Sequence, residues 1–138
     1  MPWIHHQVIR LRHTDAAGLL YAPRLMEMAQ DAFEALQSAA GVSPRERLEG
    51  SGPILPTVHC EADFLRPIRL GDEIAVEIRL ERSGRRSFTL AYLFRSPAGE
   101  EVARGATVHV PMDRATGTST ELTDEMARIL VFLEGARP

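Results

Sequence analysis

The sequence predicts an α+β fold in which an antiparallel sheet wraps around one long helix. Three observations carry that expectation. Apolar residues recur at helical spacing from Pro23 to about Ala40. The apolar period then drops to two between residues 54 and 111, and short turn-forming stretches separate the alternating runs. Helices and antiparallel strands segregated along a chain belong to the α+β class.

Taken in order, residues 3–13 read as a strand. Its apolar positions switch parity between Ile4/Val8 and Ile9/Leu11, which a bulge accommodates. In the helix, Leu25, Met28, Ala29, Ala32, Phe33 and Leu36 form one stripe, while Glu27, Gln30, Asp31, Glu34 and Gln37 fall largely off it. Pro23 suits the first turn, where a missing N–H loses nothing, and Gly41 suits the stop. Residues 41–53 form a loop with room for a helical turn after Ser43.

Four strands follow. In 54–66, Ile54, Val58, Cys60, Ala62 and Phe64 alternate with polar residues, which places the Cys60 thiol on an apolar, buried face. After "PIRLGD", Ile74, Val76, Ile78 and Leu80 alternate with charges; after "RSGRR" come Phe88, Leu90, Tyr92 and Phe94; after "SPAGE" comes a strand over 101–111. Short turns between them predict a four-strand meander. A closing helix over 123–134 is capped by Thr123, with acidic residues in its first turn.

Length and composition narrow the function. A chain of 138 residues is expected to form one domain, 1–138, burying about two-thirds of its unfolded surface. Sixteen basic residues, all Arg, against nineteen acidic ones leave a net charge of −3, so no global field recruits nucleic acid or a membrane. A single cysteine precludes an intrachain disulfide and fits a reducing cytoplasm, and no apolar run resembles a signal peptide or a membrane span. The five histidines lack metal-ligand spacing, and no G-x-G-x-x-G, Walker or G-x-S-x-G motif occurs, so neither a metal nor a redox cofactor is expected.

The run "RLRHTDAAGLLYAPRLMEMAQDAFEAL" holds the leading candidate, Asp15, on a small-residue loop just before the long helix. Asp in "DAAG" makes Asx turns, which is one reading. The other is catalytic. A helix N-terminus offers unpaired N–H groups and partial positive charge to a developing oxyanion, and a nearby carboxylate can attack a carbonyl or activate water. Ala16, Ala17 and Gly18 permit close approach of the loop to a substrate.

"HTDAAGLLYAPRLMEMAQDAFEAL" resembles the signature of the 4-hydroxybenzoyl-CoA thioesterase family of hotdog-fold proteins, in which a D-x-x-G-x-x-aromatic loop precedes the central helix. "FLRPIRLGDEI" (64–74) is similar to that family's strand–turn–strand, and "RRSF" (85–88) falls where members bind CoA phosphates. The resemblance implies a hotdog acyl-CoA thioesterase. Asp15 takes the place of the catalytic carboxylate, the Ala22 N–H that of the oxyanion donor, and Gly18 shapes the loop. Tyr21 keeps the aromatic, as a hydrophobic staple or a substrate contact. Arg85, Arg86 and Ser87 take the place of the CoA phosphate site. Apart from the resemblance, His13 and His59 are either ordinary strand residues or candidates to line the cleft.

"LPTVHCEADFLRPIRLGDE" is similar to the branch that releases 1,4-dihydroxy-2-naphthoate, which implies an aromatic acyl-CoA, with short or medium fatty acyl-CoA as the alternative. The family implies a homo-oligomer, a dimer or a homotetramer, with acyl groups entering between subunits. Other hotdog functions remain to be weighed. A dehydratase would carry R-N-P-x-H-x-D or G-H-F-P loops, which are absent, and a non-catalytic CoA-binding subunit would have no use for Asp15. Glu27, Asp31 and Glu34 are expected to form a solvated face.

Overall fold

The structure, a computed structural model, describes residues 2–135. In chain order the elements are strand β1 (Trp3–Val8), helix α1 (Pro23–Ala39), short helix α2 (Pro44–Glu49), strands β2 (Thr57–Phe64), β3 (Glu73–Ser83), β4 (Phe88–Arg95) and β5 (Glu101–His109), and helix α3 (Asp124–Gly135). The five strands form one antiparallel sheet in the order β1-β3-β4-β5-β2.

The helical stripe is the core. Leu25, Met28, Ala29, Ala32, Phe33 and Leu36 are all at most 2% exposed and lie among the inward residues of the sheet, Ile74, Val76, Ile78, Phe88, Leu90, Tyr92 and Phe94. Each large side chain so buried contributes roughly 1.5–3 kcal/mol relative to exposure. The Ala positions of α1 lower its profile, and Gly105 of β5 does the same from the sheet. A Cβ there would lie 3.1 Å from Met26 Cε and 3.3 Å from the Glu61 carbonyl.

One polar chain runs through this core. His109 stacks on Phe88 and packs at a tilt against Phe33, with ring centroids 5.0 and 4.9 Å away. Its Nε2 lies 2.8 Å from Thr107 Oγ1, which lies 3.0 Å from Tyr92 Oη. Burial holds the imidazole neutral, its pKa lowered to about 4, and raises the Tyr92 phenol to about 12. On the opposite face of the sheet, Glu77 is buried beneath the guanidiniums of Arg95, at 2.6 Å, and Arg79. Burial alone would raise its pKa, but hydrogen bonds from Arg95 and Arg79 outweigh burial and hold it below the usual carboxylate value.

Three expectations are corrected. The first strand ends at Val8, and a 3₁₀ turn over Leu11–His13 follows, so the parity switch marks the strand's end rather than a bulge. Ile9 turns into the core there, bonded to both sides of the Gly71–Asp72 turn. The meander has three strands, not four. β2 pairs with β5 at the far edge, and residues 65–72 carry the chain back across the sheet to β3. Cys60 is exposed, as is every residue of β2, because the inward phase of this edge strand is left uncovered. The helical turn after Ser43 is present as α2, whose first turn is capped by Ser43 Oγ.

Candidate active site

The Asp15 loop is a closed turn built by the aspartate itself. Asp15 Oδ1 accepts from Ala17 N at 2.8 Å and from Leu19 N at 3.2 Å, while the Asp15 carbonyl accepts from Gly18 N at 3.1 Å. Gly18 sits at φ +76°, a conformation that favours glycine. The Asx-turn reading is therefore correct, and it leaves the catalytic one intact. Both turn bonds fall on Oδ1, and Oδ2 takes no donor among the described residues.

The helix start supplies a matching donor. Tyr21 N donates to the His13 carbonyl, Arg24 N to that of Tyr21 and Leu25 N to that of Ala22, while Pro23 has no N–H. The Ala22 N–H is left without a partner among the described residues, and no side chain caps α1. It lies at the positive end of a 17-residue helix.

The connector crossing the sheet completes the site. Leu20 N donates to the Ile68 carbonyl at 2.7 Å, and Leu19 bridges Arg69, so the Asp15 loop and residues 65–72 are held as one unit. Between them lies an open cleft of about 380 Å³. Leu19, Leu20 and Ala22 form one wall; Phe64, Leu65, Arg66, Pro67 and Ile68 form the other. Asp15 is tied to this wall through its bond to Leu19 N.

Beside the loop, His13 Nδ1 accepts from Arg10 N at 2.8 Å, so a neutral ring carries its proton on Nε2. Partial burial, then the charges of Arg12 and Arg24, lower its pKa. Arg24 Nη1 in turn donates to both carboxylate oxygens of Glu27, at 2.9 and 2.7 Å. Glu27, Asp31 and Glu34 lie on the exposed face of α1. Tyr21 is half-exposed at the helix start.

The other candidates stand elsewhere within the chain. Arg85, Arg86 and Ser87 occupy the β3–β4 turn at the far end of β4, which pairs with the His109 end of β5. The seven residue steps of β4 amount to roughly 23 Å. Arg86 is engaged, donating to the Ser119 carbonyl at 2.9 Å, whereas the Arg85 side chain has no partner among the described residues. His59 shares the outer face of β2 with Glu61, 3.7 Å away. Among the described residues no three His, Cys, Asp or Glu side chains could hold a metal. Sequence reasoning passed over Arg66 and its apolar neighbours as site residues; the break in alternation at "FLRPI" was their one signal.

Known proteins share this fold and sequence pattern. The family model for the thioesterase-like superfamily matches residues 9–130. A 1,4-dihydroxy-2-naphthoyl-CoA hydrolase of Rippkaea orientalis is 30% identical over 132 residues, covering 94% of this chain and 96% of that protein. One of Synechococcus elongatus is 33% identical over 121 residues, covering 87% and 88%. The crystal structure of a 1,4-dihydroxy-2-naphthoyl-CoA thioesterase from Synechocystis superposes with a TM-score of 0.90 at 22% identity, covering 97% of this chain and 98% of that one. A 4-hydroxybenzoyl-CoA thioesterase complexed with 4-hydroxybenzoyl-CoA superposes with a TM-score of 0.81 at 19% identity, covering 93% and 97%. The fold is the hotdog fold, and the chain belongs to the thioesterase-like superfamily.

Proposed function

We propose that the chain is an acyl-CoA thioesterase that hydrolyses an aromatic acyl-CoA, such as a hydroxybenzoyl- or 1,4-dihydroxy-2-naphthoyl-CoA, to the free acid and CoA. The observation that carries this is an apolar cleft whose wall holds the unpaired helix-start N–H of Ala22. That wall is hydrogen-bonded, through Leu19 N, to the Asp15 carboxylate, one oxygen of which takes no donor among the described residues. The thioester carbonyl oxygen is received by the Ala22 N–H as charge develops on it. Asp15 Oδ2 either attacks the carbonyl carbon, expelling CoA thiolate and leaving an anhydride for water to open, or takes a proton from the attacking water. The apolar walls admit an aryl ring and equally an alkyl chain, so fatty acyl-CoA of short or medium length is the alternative.

The chain acts as a homo-oligomer, and β2 is the surface that supports this reading. Eight exposed residues with a free row of backbone groups form an edge that solitary proteins avoid. Antiparallel pairing of β2 with a second copy about a two-fold axis sets the partner's Thr57 end against this chain's Phe64 end. The partner's β3–β4 turn, with its unpaired Arg85, then lies about three strand spacings, roughly 15 Å, from the cleft. CoA phosphates are held there, by the subunit opposite the one that supplies Asp15.

The test is thiol release from a panel of aryl and alkyl acyl-CoAs, read with a thiol-reactive dye. Turnover with preference for aryl-CoA supports the proposal. Preference for alkyl-CoA moves the assignment to the alternative, and saturable CoA binding without turnover leaves a non-catalytic CoA-binding protein.

A further inference from the structure

Among the described residues lining the cleft, Arg66 alone carries a charge. Its backbone is fixed from two sides. Leu65 N and Arg66 N both donate to the Val102 carbonyl, at 3.0 and 3.1 Å, and Pro67 locks the next φ. Two residues further on, Ile68 is bonded to Leu20, so the base of the Arg66 side chain stands at a set offset from the Asp15 loop.

The head of the side chain is uncommitted. Its one ionic partner among the described residues is Glu100, with Arg66 Nε 3.5 Å from Glu100 Oε2 and both side chains more than half exposed. That contact exceeds the N–H···O hydrogen-bond range of about 3.2 Å and falls on Nε, leaving the two Nη groups open. A guanidinium edge matches paired oxygen acceptors. Arg66 lines both the apolar cleft and, with Glu100, a neighbouring cavity of about 310 Å³. Turned to the apolar cleft, its guanidinium discriminates by chemistry rather than by size, because a site built to bond an oxygen substituent rejects the analogue lacking it more strongly than an apolar wall can.

We propose that Arg66 is a specificity-determining residue that selects aromatic acyl groups bearing a ring hydroxyl, by donating through Nη to that oxygen. This rests on the thioesterase reading above. The experiment measures kcat/KM for hydroxynaphthoyl-CoA and unsubstituted naphthoyl-CoA with the wild-type protein, Arg66→Ala and Arg66→Lys. The same two acids are also supplied as thioesters of a short thiol lacking the nucleotide. The wild type prefers the hydroxylated acyl group. Arg66→Ala lowers that selectivity ratio by at least ~10-fold, as expected for loss of a hydrogen bond from a charged group, and Arg66→Lys restores part of it. The drop persists in the nucleotide-free thioesters.

A wild type with no preference, or an Arg66→Ala ratio equal to that of the wild type, overturns the proposal. A drop that vanishes without the nucleotide also overturns it, and gives Arg66 to the CoA phosphates instead. Because the readout is a ratio within one preparation, a partly unfolded variant does not mimic it. Failure of the wild type to cleave any thioester overturns the thioesterase reading and this one together, whereas cleavage with unchanged ratios overturns this one alone.

Discussion

Asp15 Oδ1 accepts the Leu19 amide at 3.2 Å, and Leu19 is a wall of the apolar cleft. One oxygen of the carboxylate thus builds the loop while the other stays free to react, and the loop's shape fixes where that free oxygen stands.

The proposed division of labour between subunits predicts a KM effect at Arg85. Arg85→Ala should raise KM for acyl-CoA by roughly 10-fold with little change in kcat, since uniform binding is what a remote phosphate contact supplies. A thioester lacking the nucleotide should show no penalty. Arg86→Ala should instead lower thermal stability, because Arg86 anchors Ser119. Equal KM effects on both substrates would remove the phosphate role from Arg85.

Light scattering tests the β2 edge. A mass of two or four 15.3 kDa chains at micromolar concentration is expected. Amides of residues 57–64 should be protected from hydrogen exchange in that assembly. A monomer with rapidly exchanging β2 amides contradicts the edge-pairing proposal.

Much of this fold was legible in the sequence because periodicity reports burial directly. The stripe from Leu25 to Leu36 and the alternation in 74–80 and 88–94 each mark one covered face, and all are buried except Leu80, which is partly covered. Strand order was not legible. Alternation says which residues share a face, not which strand lies beside which, so β2 was read as part of the meander although it pairs with β5. Cys60 failed for a related reason, since the face it shares is not covered within the chain. In the site, Asp15 and Ala22 stand out locally, as loop and helix start. Arg66 and Pro67 join them only through the crossing of residues 65–72, a long-range event with no local period.

His109 predicts an acid-sensitive stability. Its folded-state pKa of about 4 lies below the ordinary 6.5, so between those values the unfolded chain binds a proton that the folded chain refuses. Stability is full above pH 6.5 and falls as pH drops toward 4, by up to roughly 3 kcal/mol at about 1.4 kcal/mol per pH unit. Urea unfolding at pH 7 and pH 4.5 should show this loss in the wild type and a smaller one in His109→Gln. Equal slopes in both proteins would remove His109 as the cause.

Gly105 predicts a packing cost. In Gly105→Ala the new methyl presses on Met26 Cε, which can move, and on the Glu61 carbonyl, which is β2 backbone. Overpacking of this kind costs about 1–3 kcal/mol, measurable by thermal melting. An unchanged melting temperature would mean that β2 shifts freely.

The most direct test of the central claim is turnover by Asp15→Asn. The amide oxygen still accepts from Ala17 and Leu19, so loop and fold persist, but the side chain can neither attack nor take a proton. With the preferred acyl-CoA, kcat should fall at least ~10²-fold, the lower end of acid–base contributions, while the variant keeps wild-type mass and melting temperature. A kcat within a few-fold of wild type in that folded variant would contradict the account and move the chemistry away from Asp15.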